Sequence, residues 1–235
     1  MELINDSVIQ SFPLDAFNKR WPFPWHNFHE FLTPEGFSQL YAEFPSLEFF
    51  EYHENLSRGS GQRPHNRYYL AYQKSIYKKD DQMGGIVTSE ALTPSWQQFI
   101  HELETNKNYQ DLMHRILGNQ PFEMRYAWHA GMSTNEVSPH CDNISKIATH
   151  IFYFNTSEDW NMEWGGALIV LGDKLTPVQN PDFKDFMTST PIKILDNHSF
   201  LFKNTPNAWH GVKALKSPEG KYRRLFNVIF EAKDS

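Results

Sequence analysis

The chain has 235 residues, 40% apolar and 15% aromatic, with a formal net charge of −6 and one cysteine. That length fits one domain with a sizeable core. The aromatic load excludes a disordered chain, the charge offers nucleic acid or anionic lipid no global attraction, and the lone Cys141 excludes an internal disulfide and a thiolate zinc framework. Eleven histidines remain, so a bound metal would draw on imidazole and carboxylate. The start, Met1 to Asp6, has no basic leader, and the longest purely apolar run, Ala167 to Leu171, falls far short of the roughly 20 residues of a membrane helix. These features lead us to expect a cytoplasmic protein without nucleic-acid or membrane partners.

In chain order, Trp21-Pro22-Phe23-Pro24-Trp25 reads as extended, because alternating prolines forbid a helix interior. Thr33-Pro34-Glu35 is a helix start, followed by Phe37, Leu40, Tyr41 and Phe44 at helical spacing and stopped by Pro45. Asn55 to Arg67 reads as a loop or hairpin tip; its Arg58, Arg63 and Arg67 suit either a cover that meets an anionic substrate or a solvated loop. A second helix starts at Thr93-Pro94 and carries Trp96, Phe99, Ile100 and Leu103; a third covers 109–117 and ends at Gly118. From Phe122 the pattern turns to short strands: 122–129, 147–155, 167–171, 192–195, 199–203 and 223–230, separated by Gly, Asn, Asp and Pro turns. The expectation is an α+β chain, mainly β, with residues 1–121 as helical and extended support and 122–235 as a sandwich or barrel, together forming one structural domain.

The chemistry concentrates in Val137-Ser138-Pro139-His140-Cys141-Asp142. Pro139 is expected to end regular pairing there and to put the segment at a strand end. Residues two apart share a face in an extended chain, so His140 and Asp142 can converge while Cys141 points away. His210, after the turn Thr205-Pro206-Asn207, is the best third ligand. Two imidazoles and a carboxylate on one face of a metal, with open positions opposite, form the facial triad of non-haem Fe(II) oxygenases. Among the other histidines, His26, His29, His53 and His65 lie in loop-like sequence and read as surface or hydrogen-bonded residues.

After His140-x-Asp142 come Lys146-Ile-Ala-Thr149-His-Ile-Phe-Tyr153-Phe-Asn155, then Gly165-Gly166 and the strand 167–170, then His210-Gly-Val212, then Arg223-Arg224-Leu225-Phe226-Asn227-Val228. This order, over residues 122–231, resembles the Fe(II)- and 2-oxoglutarate-dependent dioxygenases, in their prolyl-hydroxylase-like branch. The resemblance implies a double-stranded β-helix of jelly-roll or cupin-like type. It implies His140, Asp142 and His210 as iron ligands and catalytic centre. It also implies 2-oxoglutarate contacts from Tyr153, Thr149, Asn227 and a late arginine, with O2 as second co-substrate and ascorbate as reductant. Arg223 and Arg224 compete for the co-substrate carboxylate. Arg223 fits better, since it shares a face with Leu225 and Asn227, although Leu225 is bulkier than the small residue usual there. The implied reaction hydroxylates an unactivated C–H of a small metabolite, amino acid or peptidyl residue and releases succinate and CO2. Tyr126, Trp128 and Trp209 are expected near the mouth. Two other readings of the barrel stay open: a cupin-like metalloenzyme without 2-oxoglutarate, and a non-catalytic sensor.

Overall fold

The structure, a computed structural model, describes residues 2–56, 63–74, 85–118 and 120–233. The second half of the chain builds two facing sheets by crossing repeatedly between them. Strand β5 (Phe122–Gly131) lies in the larger sheet, β6 (Val137–His140) in the smaller and β7 (Lys146–Tyr153) in the larger. Strands β8 (Ile169–Lys174) and β9 (Phe186–Pro191) return to the smaller sheet. Then β10 (His198–Lys203), β11 (His210–Val212) and β12 (Arg223–Ala232) lie in the larger, smaller and larger sheets in turn. The resulting orders, β10-β7-β12-β5 against β6-β11-β8-β9, make a double-stranded β-helix.

The first half supplies both cover and strands. Strand β1 (Trp25–His29) pairs with β10. Strands β2 (Glu51–Leu56) and β3 (His65–Tyr72) form a hairpin that extends the larger sheet beyond β5, and the short β4 (Ile86–Val87) adds to β3. Five helices, α1 (Asp6–Gln10), α2 (Leu14–Asn18), α3 (Pro34–Ala42), α4 (Pro94–Thr105) and α5 (Lys107–Leu117), occur among the described residues. The expected starts and stops are there. Thr33 Oγ1 accepts from Gly36 N–H at 3.1 Å, Pro94 opens α4, and Gly118 ends α5 at φ 76°.

The central strands of the larger sheet, β5, β7, β10 and β12, thus have two buried faces. The convex face packs on the helices: Phe152, Phe154, Trp128, Phe226, Val228 and Phe230 meet Trp96, Phe99 and Tyr109. Fully burying such side chains contributes about 1.5–3 kcal/mol each. The concave face meets the smaller sheet through Ile151, Tyr153, Phe200, Phe202 and Leu225, against Leu168, Val170, Val212 and Leu215.

Several expectations need correction. Residues 192–195 form no strand; Ile192 and Ile194 are apolar because they are buried, and the strand here is β9, whose outward polar residues hid it. Pro139 does not end pairing: it sits inside β6, an edge strand, where a missing N–H is tolerated. His26 and His29 lie on β1, His53 on β2 and His65 on β3, with His53 and His65 buried. Tyr126 and Trp128 face the helices, and Trp209 packs with Phe186, Ile169 and Leu171 in a separate cluster, so none of the three belongs to the concave core.

Candidate metal centre

Strands β6 and β11 are neighbours in the smaller sheet, with His140 and His210 directly opposite each other. Registered antiparallel residues share a face, so both imidazoles project into the barrel, their ring centroids 4.4 Å apart. Asp142, two residues beyond His140, joins them: one donor atom from each of His140, Asp142 and His210 lies within 4.8 Å of the others. His140 Nδ1 lies 2.9 Å from Ser138 O, and His210 Nδ1 lies 2.9 Å from Ala208 O. A carbonyl can only accept, so each Nδ1 carries the proton and each Nε2 presents a lone pair to the site.

The protonation states suit a metal. Burial and the neighbouring His210 push His140 down to about 3, against the pull of Asp142 and the Ser138 carbonyl. Burial likewise lowers His210, Asp142 opposing it. Burial pushes Asp142 up, but Lys146, His210 and His140 outweigh it and hold the carboxyl below its ordinary value. Two neutral imidazoles and one carboxylate are the ligand forms a divalent ion requires. Cys141, half-buried between two of these residues, directs Sγ to Pro206 O at 3.4 Å, and burial with Asp142 pushes its thiol up to about 12.

The remaining sequence-selected residues lie along β7 and β12. The register pairs Leu225 with Tyr153, Asn227 with Ile151 and Ile229 with Thr149. Arg223, Leu225 and Asn227 therefore share the concave face with Tyr153, Ile151 and Thr149. Thr149, at the metal end, donates its hydroxyl to Asp142 Oδ2 at 3.4 Å. At the other end the buried Arg223 guanidinium carbon lies 5.2 Å from the Tyr153 ring centroid. Burial pushes Tyr153 up to about 12, Arg223 opposing; burial also lowers Arg223, Tyr153 opposing. Tyr153 Oη, Arg223 Nε and Asn227 Oδ1 are buried and make no hydrogen bond of good geometry among the described residues. Buried polar atoms of this kind are free to meet a water or a ligand.

Arg224 points to the convex side. Its guanidinium pairs with Asp159 and lies over the rings of Tyr41 at 4.5 Å and Phe44 at 5.6 Å. The sequence left one role here unread. Gly166, at φ 96°, occupies the spot Arg223 passes: a Cβ there would stand 3.0 Å from Arg223 Cδ and 3.4 Å from Nε. The glycine pair reads in sequence as a turn, and only the fold brings Arg223 against it. Of the segment Asn55 to Arg67, Arg63 reaches strand β6 and its approach. Arg63 N–H donates to Ser138 Oγ at 3.2 Å, and its side chain pairs with Glu136 at 3.2 Å and Asp182 at 3.8 Å. Arg67 lies on β3 opposite His53, and Arg58 falls outside the described residues.

No family model and no curated protein matches the chain. Solved structures match its fold. A prolyl-4-hydroxylase from Pseudomonas putida superposes with TM-score 0.60 at 11% identity, covering 97% of this chain and 99% of that one. A prolyl hydroxylase from Trichoplax adhaerens, solved with a hypoxia-inducible-factor peptide, gives 0.59 at 14% identity over 97% and 89%. The non-haem α-ketoglutarate-dependent carbocyclase SnoK of nogalamycin biosynthesis gives 0.59 at 11% identity over 97% and 87%. At these identities the likeness establishes the double-stranded β-helix. No helix among the described residues is long and apolar enough to cross a membrane.

Proposed function

We propose that the protein is an Fe(II)- and 2-oxoglutarate-dependent oxygenase that hydroxylates an unactivated C–H bond of a small or peptidyl substrate. Residues 122–235 are its catalytic core and 1–121 its support. The observation that carries this reading is the pairing, inside one barrel, of the His140–Asp142–His210 cluster with Arg223 and Tyr153, which contact each other and meet no carboxylate among the described residues. A triad alone fits many metalloenzymes. A buried cation beside a buried hydroxyl, on the facing sheet of the same barrel, fits a metal-chelating co-substrate with a distal carboxylate.

The donor set fits a borderline divalent ion with open positions, and nitrogen plus carboxylate ligands suit iron. When bound, the iron and 2-oxoglutarate supply the oxidising chemistry, with succinate and CO2 as by-products. The chain's own residues hold and orient. His140 and His210 offer fixed Nε2 lone pairs, and Asp142 offers a carboxylate oriented by Thr149. Arg223 presents a planar fork to the distal carboxylate, supported by the Tyr153 hydroxyl; a charged, bidentate contact of this kind is strong in a water-poor pocket. Asn227 lines the same face between the two ends. Leu225, opposite Tyr153, is a buried apolar side chain in the same cluster as the tyrosine. Asp142 fills the carboxylate position, where a small residue would leave room for a halide, so hydroxylation rather than halogenation is the outcome expected.

The test is succinate formation from 2-oxoglutarate with each of Fe(II), O2 and 2-oxoglutarate omitted in turn. Succinate should require all three and vanish in His140→Ala. Equal succinate in wild type and His140→Ala would reject the reading.

A further inference from the structure

We propose that Lys146 is a positioning residue that sets metal affinity: its ammonium holds Asp142 in the metal-free site and competes with the metal for the oxygen that faces it. The inference rests on the metal-site reading above. Lys146 opens β7, and its Nζ lies 3.4 Å from Asp142 Oδ1, with side chains only 15% and 14% exposed. That same Oδ1 is the oxygen 3.8 Å from His140 Nε2, on the side where the imidazoles converge. The other oxygen, Oδ2, takes the Thr149 hydroxyl at 3.4 Å. Each carboxylate oxygen thus has its own donor, and the charged donor is on the metal side.

The local backbone keeps the lysine there. Lys146 N–H donates to Asn143 O at 3.0 Å. Asn204 Nδ2 reaches Asn143 O at 3.0 Å, Lys146 O at 2.8 Å and Asp142 O at 3.4 Å. This side chain from the end of β10 clamps the turn joining Asp142 to β7.

The two donors have opposite consequences. A neutral hydroxyl on the outer oxygen orients the carboxylate without opposing a cation. An ammonium on the inner oxygen repels a dication in a poorly solvated site, and Coulomb forces there are several times stronger than in water. Removing the ammonium should therefore tighten metal binding, whereas removing the hydroxyl should loosen it.

Mn(II) is the probe, and binding is read from loss of the free-ion electron paramagnetic resonance signal, independent of turnover. Lys146→Met should lower Kd by about 10-fold or more, Lys146→Gln should follow it, and Lys146→Arg should stay within about 3-fold of wild type. Thr149→Val should raise Kd by about 3- to 10-fold, at the low end of what outer contacts to metal ligands contribute. Asp142→Asn identifies the site. If wild type binds no Mn(II), or Asp142→Asn binds it equally well, the metal-site reading itself fails. If wild type binds through Asp142 but Lys146→Met and Lys146→Gln bind no tighter, the role of Lys146 is overturned and the metal site stands.

Discussion

Arg223 and Arg224 are adjacent on β12, and the two faces of the larger sheet treat them in opposite ways. On the convex face Arg224 finds Asp159 and the rings of Tyr41 and Phe44. On the concave face Arg223 finds a tyrosine ring, a glycine that leaves it room, and no acidic partner among the described residues. The histidines divide in the same way. His150, on the convex face, is fully buried with both ring nitrogens occupied, by Tyr109 Oη at 3.2 Å and Ser199 Oγ at 3.0 Å. His140 and His210, inside the barrel, each spend one nitrogen on a backbone carbonyl and leave the other facing its neighbours. On the convex face Arg224 and His150 find their partners inside the protein and help hold the fold together. The concave face leaves some of its polar groups open, and that is where a ligand can be held.

Substitutions should separate the faces. The largest contrast is between the two arginines. Arg223→Ala should raise the 2-oxoglutarate KM by about 100-fold or more, the loss expected for a buried charge-assisted contact. Arg224→Ala should leave KM within about 3-fold and instead lower stability by about 1 kcal/mol, as a half-exposed pair with ring contacts allows. Steady-state kinetics with chemical denaturation of both variants checks this; equal KM effects would break the distinction. Next comes Gly166→Ala, which forces a methyl onto Arg223 Cδ. It should raise the 2-oxoglutarate KM by about 10-fold, a loss of roughly 1.4 kcal/mol in anchoring. Metal affinity and kcat at saturating 2-oxoglutarate should be retained; a fall in kcat with unchanged KM would show that the glycine serves the backbone alone.

The smallest effect belongs to the convex face and to pH. Burial, and secondarily His26, lowers the folded-state pKa of His150 well below its ordinary value of 6.5. Above that pH the residue is neutral folded and unfolded and contributes no pH dependence. Below it the unfolded chain takes up a proton that the folded chain refuses, so stability falls with pH by up to about 1.4 kcal/mol per unit for this one group. Urea denaturation at pH 7.0 and 5.5 should show that loss, and His150→Gln should reduce it by about one proton's worth. An unchanged slope would show that His150 does not carry it.

Legibility in the sequence followed the same division. Helices α3, α4 and α5 were readable from Thr-Pro starts, apolar spacing and a terminal glycine, all local signals. Strands β5, β7, β10 and β12 were readable because burial on both faces makes them nearly continuous apolar runs. Strands β1, β2 and β3 were not: their sequences mix His, Asn, Glu and Arg with aromatics, and they are strands because β10 and β5 offer edges to pair with. Alternation put Arg223 and Arg224 on opposite faces, but only the packing of Phe226, Val228 and Phe230 on the helices shows which face is interior. His140 and Asp142 were visible as neighbours two apart. The placements of Lys146 on Asp142 and of Gly166 against Arg223 depend on a turn and on a contact across the barrel that no local pattern encodes.

The central claim is that the interior of one barrel holds a metal at one end and a co-substrate carboxylate at the other. Its most direct test is anaerobic titration of 2-oxoglutarate into Fe(II)-loaded protein, following the weak visible charge-transfer band of the chelate. The account predicts a saturable band in wild type and Arg224→Ala, saturation only at much higher 2-oxoglutarate in Arg223→Ala, and no band in His140→Ala. Absence of the band in wild type, or the same titration curve in Arg223→Ala, would contradict it.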